Sequence, residues 1–188
     1  MIAEKAKEML REELKKHGIE EQMEWHFKLV HDYAMKLMEN YGGDKEIIEL
    51  AVWLHDITRI RGGNEEEWKD HNITGAEEAG RILKELGYPE ERIKEVQHCI
   101  REHNTGRKPE SIEAKIISVA DALSHFDMVP YFMWLRGSRK ISLDNSLEWV
   151  SRKLRKNWEG RFGTLPGSSD LVKDKYEAFK LLWGETAD

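Results

Sequence analysis

Ile47-Ile48-Glu49-Leu50-Ala51-Val52-Trp53-Leu54-His55-Asp56 decides how this chain is read. A helix drawn through it is apolar on nearly every face, which marks a helix packed by neighbours on several sides. Ala114-Lys115-Ile116-Ile117-Ser118-Val119-Ala120-Asp121-Ala122-Leu123 has the same character. Both carry ionisable groups where burial is deepest, His55-Asp56 in one and Asp121 in the other. A buried carboxylate with no partner is expensive, so each needs a cation or a metal ion beside it.

Outward from these two segments, apolar residues recur at helical spacing almost everywhere, and no segment alternates long enough for a strand. The spacing predicts helices over about 2–17, 21–40, 45–57, 71–86, 89–103, 112–127, 143–158 and 169–183. Asp44 and Ser111 stand as N-caps of the third and sixth. Gly87 stops the fourth, Pro89 opens the fifth, and a polar loop covers 61–70. Neither a repeat nor a linker divides the chain. The expectation is an all-α, single-domain bundle over 1–188, with a core at about 20–128 and further helices from about 130 to 188.

The chain has 188 residues, four prolines and 35% charged residues. That composition suits a soluble helical domain. A formal charge of −6 argues against a nucleic-acid polymer as main partner. The single cysteine, Cys99, excludes an internal disulfide and a Cys-rich zinc site, and a reducing cytoplasm fits it. Charges run through the N-terminal segment, which reads as neither signal peptide nor anchor. No apolar run reaches the roughly 18 residues a membrane span needs.

Helix geometry sorts the eight histidines. Residues three or four apart share a face, and residues five apart diverge by about 140°. His26 aligns with Val30, Tyr33, Ala34 and Leu37, whereas His31 lies with Glu24, Lys28 and Met35. His103 shares a stripe with Ile93, Val96 and Ile100, and His98 sits among Lys94, Glu95 and Glu102. His71 heads a stripe of Gly75, Ala79 and Ile82, whose small residues permit close helix approach. His31 and His98 are therefore expected to face solvent. His125, one turn beyond Asp121, is a candidate supporting partner for it. A single inward histidine is ordinarily a hydrogen-bonded core residue. Here four helices each offer an inward imidazole (His26, His55, His71, His103) and a fifth offers Asp121, with Asp56 beside His55. That convergence points to a metal site.

The order His26, His55-Asp56, His71, His103, Asp121 resembles the HD-domain superfamily of metal-dependent phosphohydrolases. The local settings are similar too: His26-Phe27-Lys28-Leu29-Val30, Leu54-His55-Asp56-Ile57, His71 with Gly75-Ala76, Ile100 with His103, and Val119-Ala120-Asp121-Ala122-Leu123. The resemblance spans about residues 20–128. It implies an all-α bundle in which His26, His55, Asp56 and Asp121 bind one divalent ion. His71 and His103 match histidines that hold a second ion or bind substrate phosphate, and the sequence leaves both roles open. Arg59 stands where many members carry a basic residue near the substrate.

Imidazole and carboxylate donors without thiolate suit Mn, Fe, Co, Ni, Zn or Mg, as one or two ions. The expected chemistry is cleavage of a small phosphoester, a nucleotide or another phosphorylated metabolite, by metal-activated water. Asp56 is the catalytic carboxylate, and His71, His103 and Arg59 offset phosphate charge. Two alternatives share the frame: a mixed-valent di-iron oxygenase and a non-catalytic nucleotide-sensing module. The loop over 61–70 is either a partial cover for the site or an ordinary connection. The basic run Ser151-Arg152-Lys153-Leu154-Arg155-Lys156 reads as the solvated face of an amphipathic helix. The seven tryptophans are expected mostly at core positions, with a homodimer surface left open.

Overall fold

Helices make up all the regular structure in the computed structural model, which describes residues 2–18, 20–60, 69–104 and 109–184. They are α1 (Ile2–His17), α2 (Glu20–Tyr41), α3 (Lys45–Leu54), α4 (Ile57–Ile60), α5 (His71–Glu85), α6 (Glu90–Glu102), α7 (Ile112–Asp127), α8 (Val129–Ser138), α9 (Leu143–Gly160) and α10 (Lys173–Trp183). Short 3-10 turns at Phe162–Thr164 and Ser168–Leu171 link the last two. No helix among the described residues is long and apolar enough to cross a membrane.

Local chemistry sets the ends of the central helices. The Asp44 carboxylate accepts from the backbone N–H of Glu46 and Ile47 at 3.1 and 3.2 Å, capping α3. Ser111 Oγ accepts from Ala114 N–H at 3.1 Å and caps α7. Gly87 follows α5 with φ of +74°, a backbone setting that favours glycine.

Packing follows from the two apolar segments. α3 buries Ile47, Ile48 and every residue from Leu50 to Leu54, and it touches α1, α2, α6 and α7. α7 buries an unbroken run from Ile116 to Phe126 and packs chiefly on α2 and α6. α5 and α6 form a second tight pair. A Leu or Ile side chain buried in this way contributes about 1.5–3 kcal/mol. α5 reaches the end of α3 through Gly75, where a Cβ would stand 3.0 Å from the His55 carbonyl oxygen.

Three features depart from the spacing-based expectation. The helix predicted over 45–57 stops at Leu54, and residues 55–56 form a turn before α4. His55 Nδ1 donates to the Val52 carbonyl at 2.9 Å, the acceptor that residue 56 would use to extend the helix. α8 was not expected; Pro130 lies in its first turn, where the missing N–H costs nothing. The described tryptophans divide evenly: Trp53 is buried and Trp149 and Trp158 pack partly buried against the core, while Trp25, Trp134 and Trp183 are exposed. The loop at 61–70 lies outside the described residues as far as 68.

Candidate metal centre

Five separate segments deliver ionisable side chains to one point between α2, α3, α5, α6 and α7. His26 comes from α2, His55 and Asp56 from the turn after α3, His71 from the start of α5, His103 from the end of α6 and Asp121 from the middle of α7. All six are buried. Two groups offer atoms close enough to share an ion: His26, His55 and Asp56, and Asp56, His71 and His103. Asp56 belongs to both. Its Oδ2 lies 3.8 Å from Nε2 of His26 and of His55. Its Oδ1 lies 3.4 Å from His71 Nε2 and 3.9 Å from His103 Nε2. Asp121 Oδ1 joins the first group, 3.7 Å from His26 Nε2 and 4.0 Å from His55 Nε2.

The far nitrogens of three rings are already committed. Nδ1 of His55 and His103 donates to the carbonyls of Val52 and Ile100 at 2.9 and 2.6 Å. Ser124 Oγ donates to the Asp121 carbonyl at 2.7 Å, so it accepts from His26 Nδ1 at 3.3 Å. Each ring therefore carries its proton on Nδ1 and turns an Nε2 lone pair inward. Yet Nε2 of His26 and His55 stand only 3.3 Å apart, as do those of His71 and His103. Two ligand nitrogens each about 2.1 Å from one ion stand about 3 to 3.4 Å apart. Asp56 Oδ1 is buried with no hydrogen-bond partner, a costly state that an ion relieves. Lone pairs facing each other beside an unsatisfied carboxylate oxygen fit bound cations.

Electrostatics keeps the donors in ligand form. Burial, followed by the neighbouring His55, pushes His26 down to about 4 and His103 down to about 3, so both are neutral at pH 7. Burial alone would raise Asp56, but Arg59 and the surrounding imidazoles outweigh it and hold the carboxyl well below the usual range. Asp121 is likewise raised by burial and lowered further by His125, Arg161 and His26.

Arg59 lies at this centre, with Nη1 2.6 Å from Asp56 Oδ2. Three neighbours were not legible as such. Arg161, just beyond α9, donates to Asp121 Oδ2 at 2.9 Å and also to Asn104 Oδ1, and Asn104 Nδ2 lies 3.4 Å from His71 Nε2. Asn157 Nδ2 donates to His125 Nδ1 at 2.8 Å, which places the His125 proton on Nε2, 3.5 Å from Asp121 Oδ1. Lys153 is the third. It is partly buried, against the expectation of a wholly solvated basic face. The spacing of Trp149, Lys153 and Asn157 along one side of α9 is the signal that could have revealed it. His31 and His98 stand outside both groups, but they are partly buried rather than solvent-facing, and His31 stacks on Trp53 at 5.1 Å.

The HD domain family model matches residues 23–125, and the chain belongs to the HD domain family. It is 31% identical over 109 residues to ribonuclease Y of Borrelia garinii subsp. bavariensis, covering 58% of this chain and 18% of that protein. It is 42% identical over 59 residues to the bifunctional uridylyltransferase/uridylyl-removing enzyme of Rhodospirillum rubrum, 31% of this chain and 6% of that one. The chain thus spans under a fifth of the length of either relative. A crystal structure of a predicted HD superfamily hydrolase from an uncultured Thermotogales bacterium shares the fold, with a TM-score of 0.58 at 24% identity. That match covers 96% of this chain and 92% of the other.

Proposed function

We propose that the protein is a metal-dependent phosphohydrolase acting on a small phosphoester. The observation that carries this reading is Asp56, whose two oxygens each face a pair of imidazole nitrogens 3.3 Å apart. His26, His55, Asp56 and Asp121 would hold one divalent ion, and Asp56, His71 and His103 a second. A divalent ion bound there lowers the pKa of a coordinated water and polarises a phosphoryl oxygen. The chain's own groups do the rest. Ser124 and the Val52 and Ile100 carbonyls hold the rings in register, and His125 and Arg161 orient Asp121. Arg59 and Arg161, each tied to a ligand carboxylate, offer guanidinium edges to a phosphate. A formal charge of −6 favours a small substrate over a polyanion.

The test is metal analysis of purified protein, then a panel of nucleotides, sugar phosphates and an RNA oligonucleotide with Mn²⁺, Co²⁺, Ni²⁺ and Mg²⁺. Turnover of small phosphoesters is expected, with RNA cleaved poorly. Asp56→Ala is expected to lose both metal and turnover, and His31→Ala and His98→Ala to keep both. Failure to retain any of these ions sinks the reading. The shared Asp56 also serves a di-iron oxygenase; oxygen-dependent turnover of an iron-loaded sample would select that reading instead.

A further inference from the structure

Arg59 and Arg161 are both engaged by carboxylates, at 2.6 and 2.9 Å. Lys153 is not. Among the described residues it makes no hydrogen bond or ion pair; its ammonium lies 5.5 Å from the ring centre of Phe132 and 5.6 Å from that of Trp149. These rings pack edge to face on each other, 5.5 Å apart, and Phe132 meets the His125 ring at 5.7 Å. One turn further along α9, Asn157 fixes His125, which in turn reaches Asp121. The same face of α9 therefore carries Lys153 to the aromatic pair that touches His125, and Asn157 to His125 itself.

We infer that Lys153, clasped by Phe132 and Trp149 beside the Asp56–Asp121 cluster, is the cation that receives the phosphoryl group of the substrate. This rests on the phosphohydrolase reading and adds a substrate-binding residue to it. Aromatic faces stabilise an ammonium without neutralising it, and an unneutralised charge remains for an incoming anion. A compact ammonium suits phosphate as a point charge, complementing the fork geometry of the two arginines. The charge is felt across the site: burial first, then Arg59 and Arg161, push Lys153 down to about 8 against the opposing pull of Asp121 and Asp56. Burial first, and then this same charge, depress His125.

The test is calorimetric binding of inorganic phosphate at pH 7 to the Mn²⁺-loaded protein, so that no turnover is needed. Lys153→Met keeps the bulk against both rings and is expected to weaken phosphate binding at least 10-fold, with metal content unchanged. Lys153→Arg should restore most of it. Arg152→Met, at an exposed neighbour on the same helix, should stay within two-fold of the parent. Lys153→Gln replaces the methionine variant where that one does not fold. Equal phosphate affinity in parent and Lys153→Met overturns the inference, as does an equal loss in Arg152→Met or a parent that binds no phosphate. Phosphate binding that depends on Lys153, in a protein hydrolysing no phosphoester, would leave this assignment standing and remove the hydrolytic one.

Discussion

Ser124 has no surface and no charge, yet it settles which nitrogen of His26 is available. With its hydrogen given to the Asp121 carbonyl, the hydroxyl can only accept from Nδ1. Ser124→Ala is expected to lower metal affinity by about 10-fold or more, the usual scale for removing a partner behind a ligating histidine. A chelator-competition titration reads this out, and an unchanged affinity would contradict the tautomer argument. Lys153 gives a prediction about stability. A lysine whose pKa falls on folding, here to about 8, destabilises the folded state at every pH below that value. The penalty fades as pH rises from about 8 to the unfolded value near 10.4. Discounted for the solvent that reaches the side chain, it is about 1 kcal/mol. Lys153→Met is therefore expected to raise Tm at pH 7 by about 2–4 °C and to match the parent near pH 10.5. A lower Tm at pH 7 would show that the ammonium is net stabilising.

At the scale of elements, the approach of α5 to the turn after α3 brings backbone against backbone with little slack. Gly75→Ala sets a methyl group 3.0 Å from the His55 carbonyl, and backbone cannot swing aside as a side chain can. A loss of about 1–3 kcal/mol is expected, the range for overpacking, together with weaker metal retention because His55 itself must move. Urea unfolding of the metal-free protein separates the two effects. Ser111→Ala, which removes only the α7 cap, is expected to cost about 1 kcal/mol and leave metal content alone.

Elements were readable where one-dimensional spacing decides them. α3 and α7 announce themselves because all their faces are apolar, and the stripes through Val30, Ile100 and Ala79 point His26, His103 and His71 inward. The break at His55 was not readable, because it depends on a ring nitrogen competing for a carbonyl. α8 opens with Pro130 in its first turn, where a proline breaks nothing, and buries only Phe132, so it shows no apolar stripe for spacing to reveal. Arg161 lies among turn residues where no period applies. Lys153 was masked by its basic neighbours Arg152, Arg155 and Lys156.

Over the whole molecule, the candidate ions would join two helix pairs that otherwise meet where α6 packs on α7 and across α3. His26 and Asp121 belong to the α2–α7 pair, His71 and His103 to the α5–α6 pair. Metal at a hundred times its Kd should stabilise the fold by about 2.7 kcal/mol and raise Tm by about 5–10 °C. Calorimetry with and without a chelator measures this, and a Tm indifferent to metal would mean that the cluster holds none.

Asp56 sits on a short side chain at a turn, so the main chain between Leu54 and Ile57 dictates how far its oxygens extend. Lengthening that reach by one methylene would carry both oxygens about 1 Å or more past the imidazole pairs, beyond the ~0.5 Å tolerance of a coordinating site. Asp56→Glu, which conserves the charge, should thus be nearly as disabling as Asp56→Ala. At this position geometry, not acidity, is what substitution cannot replace.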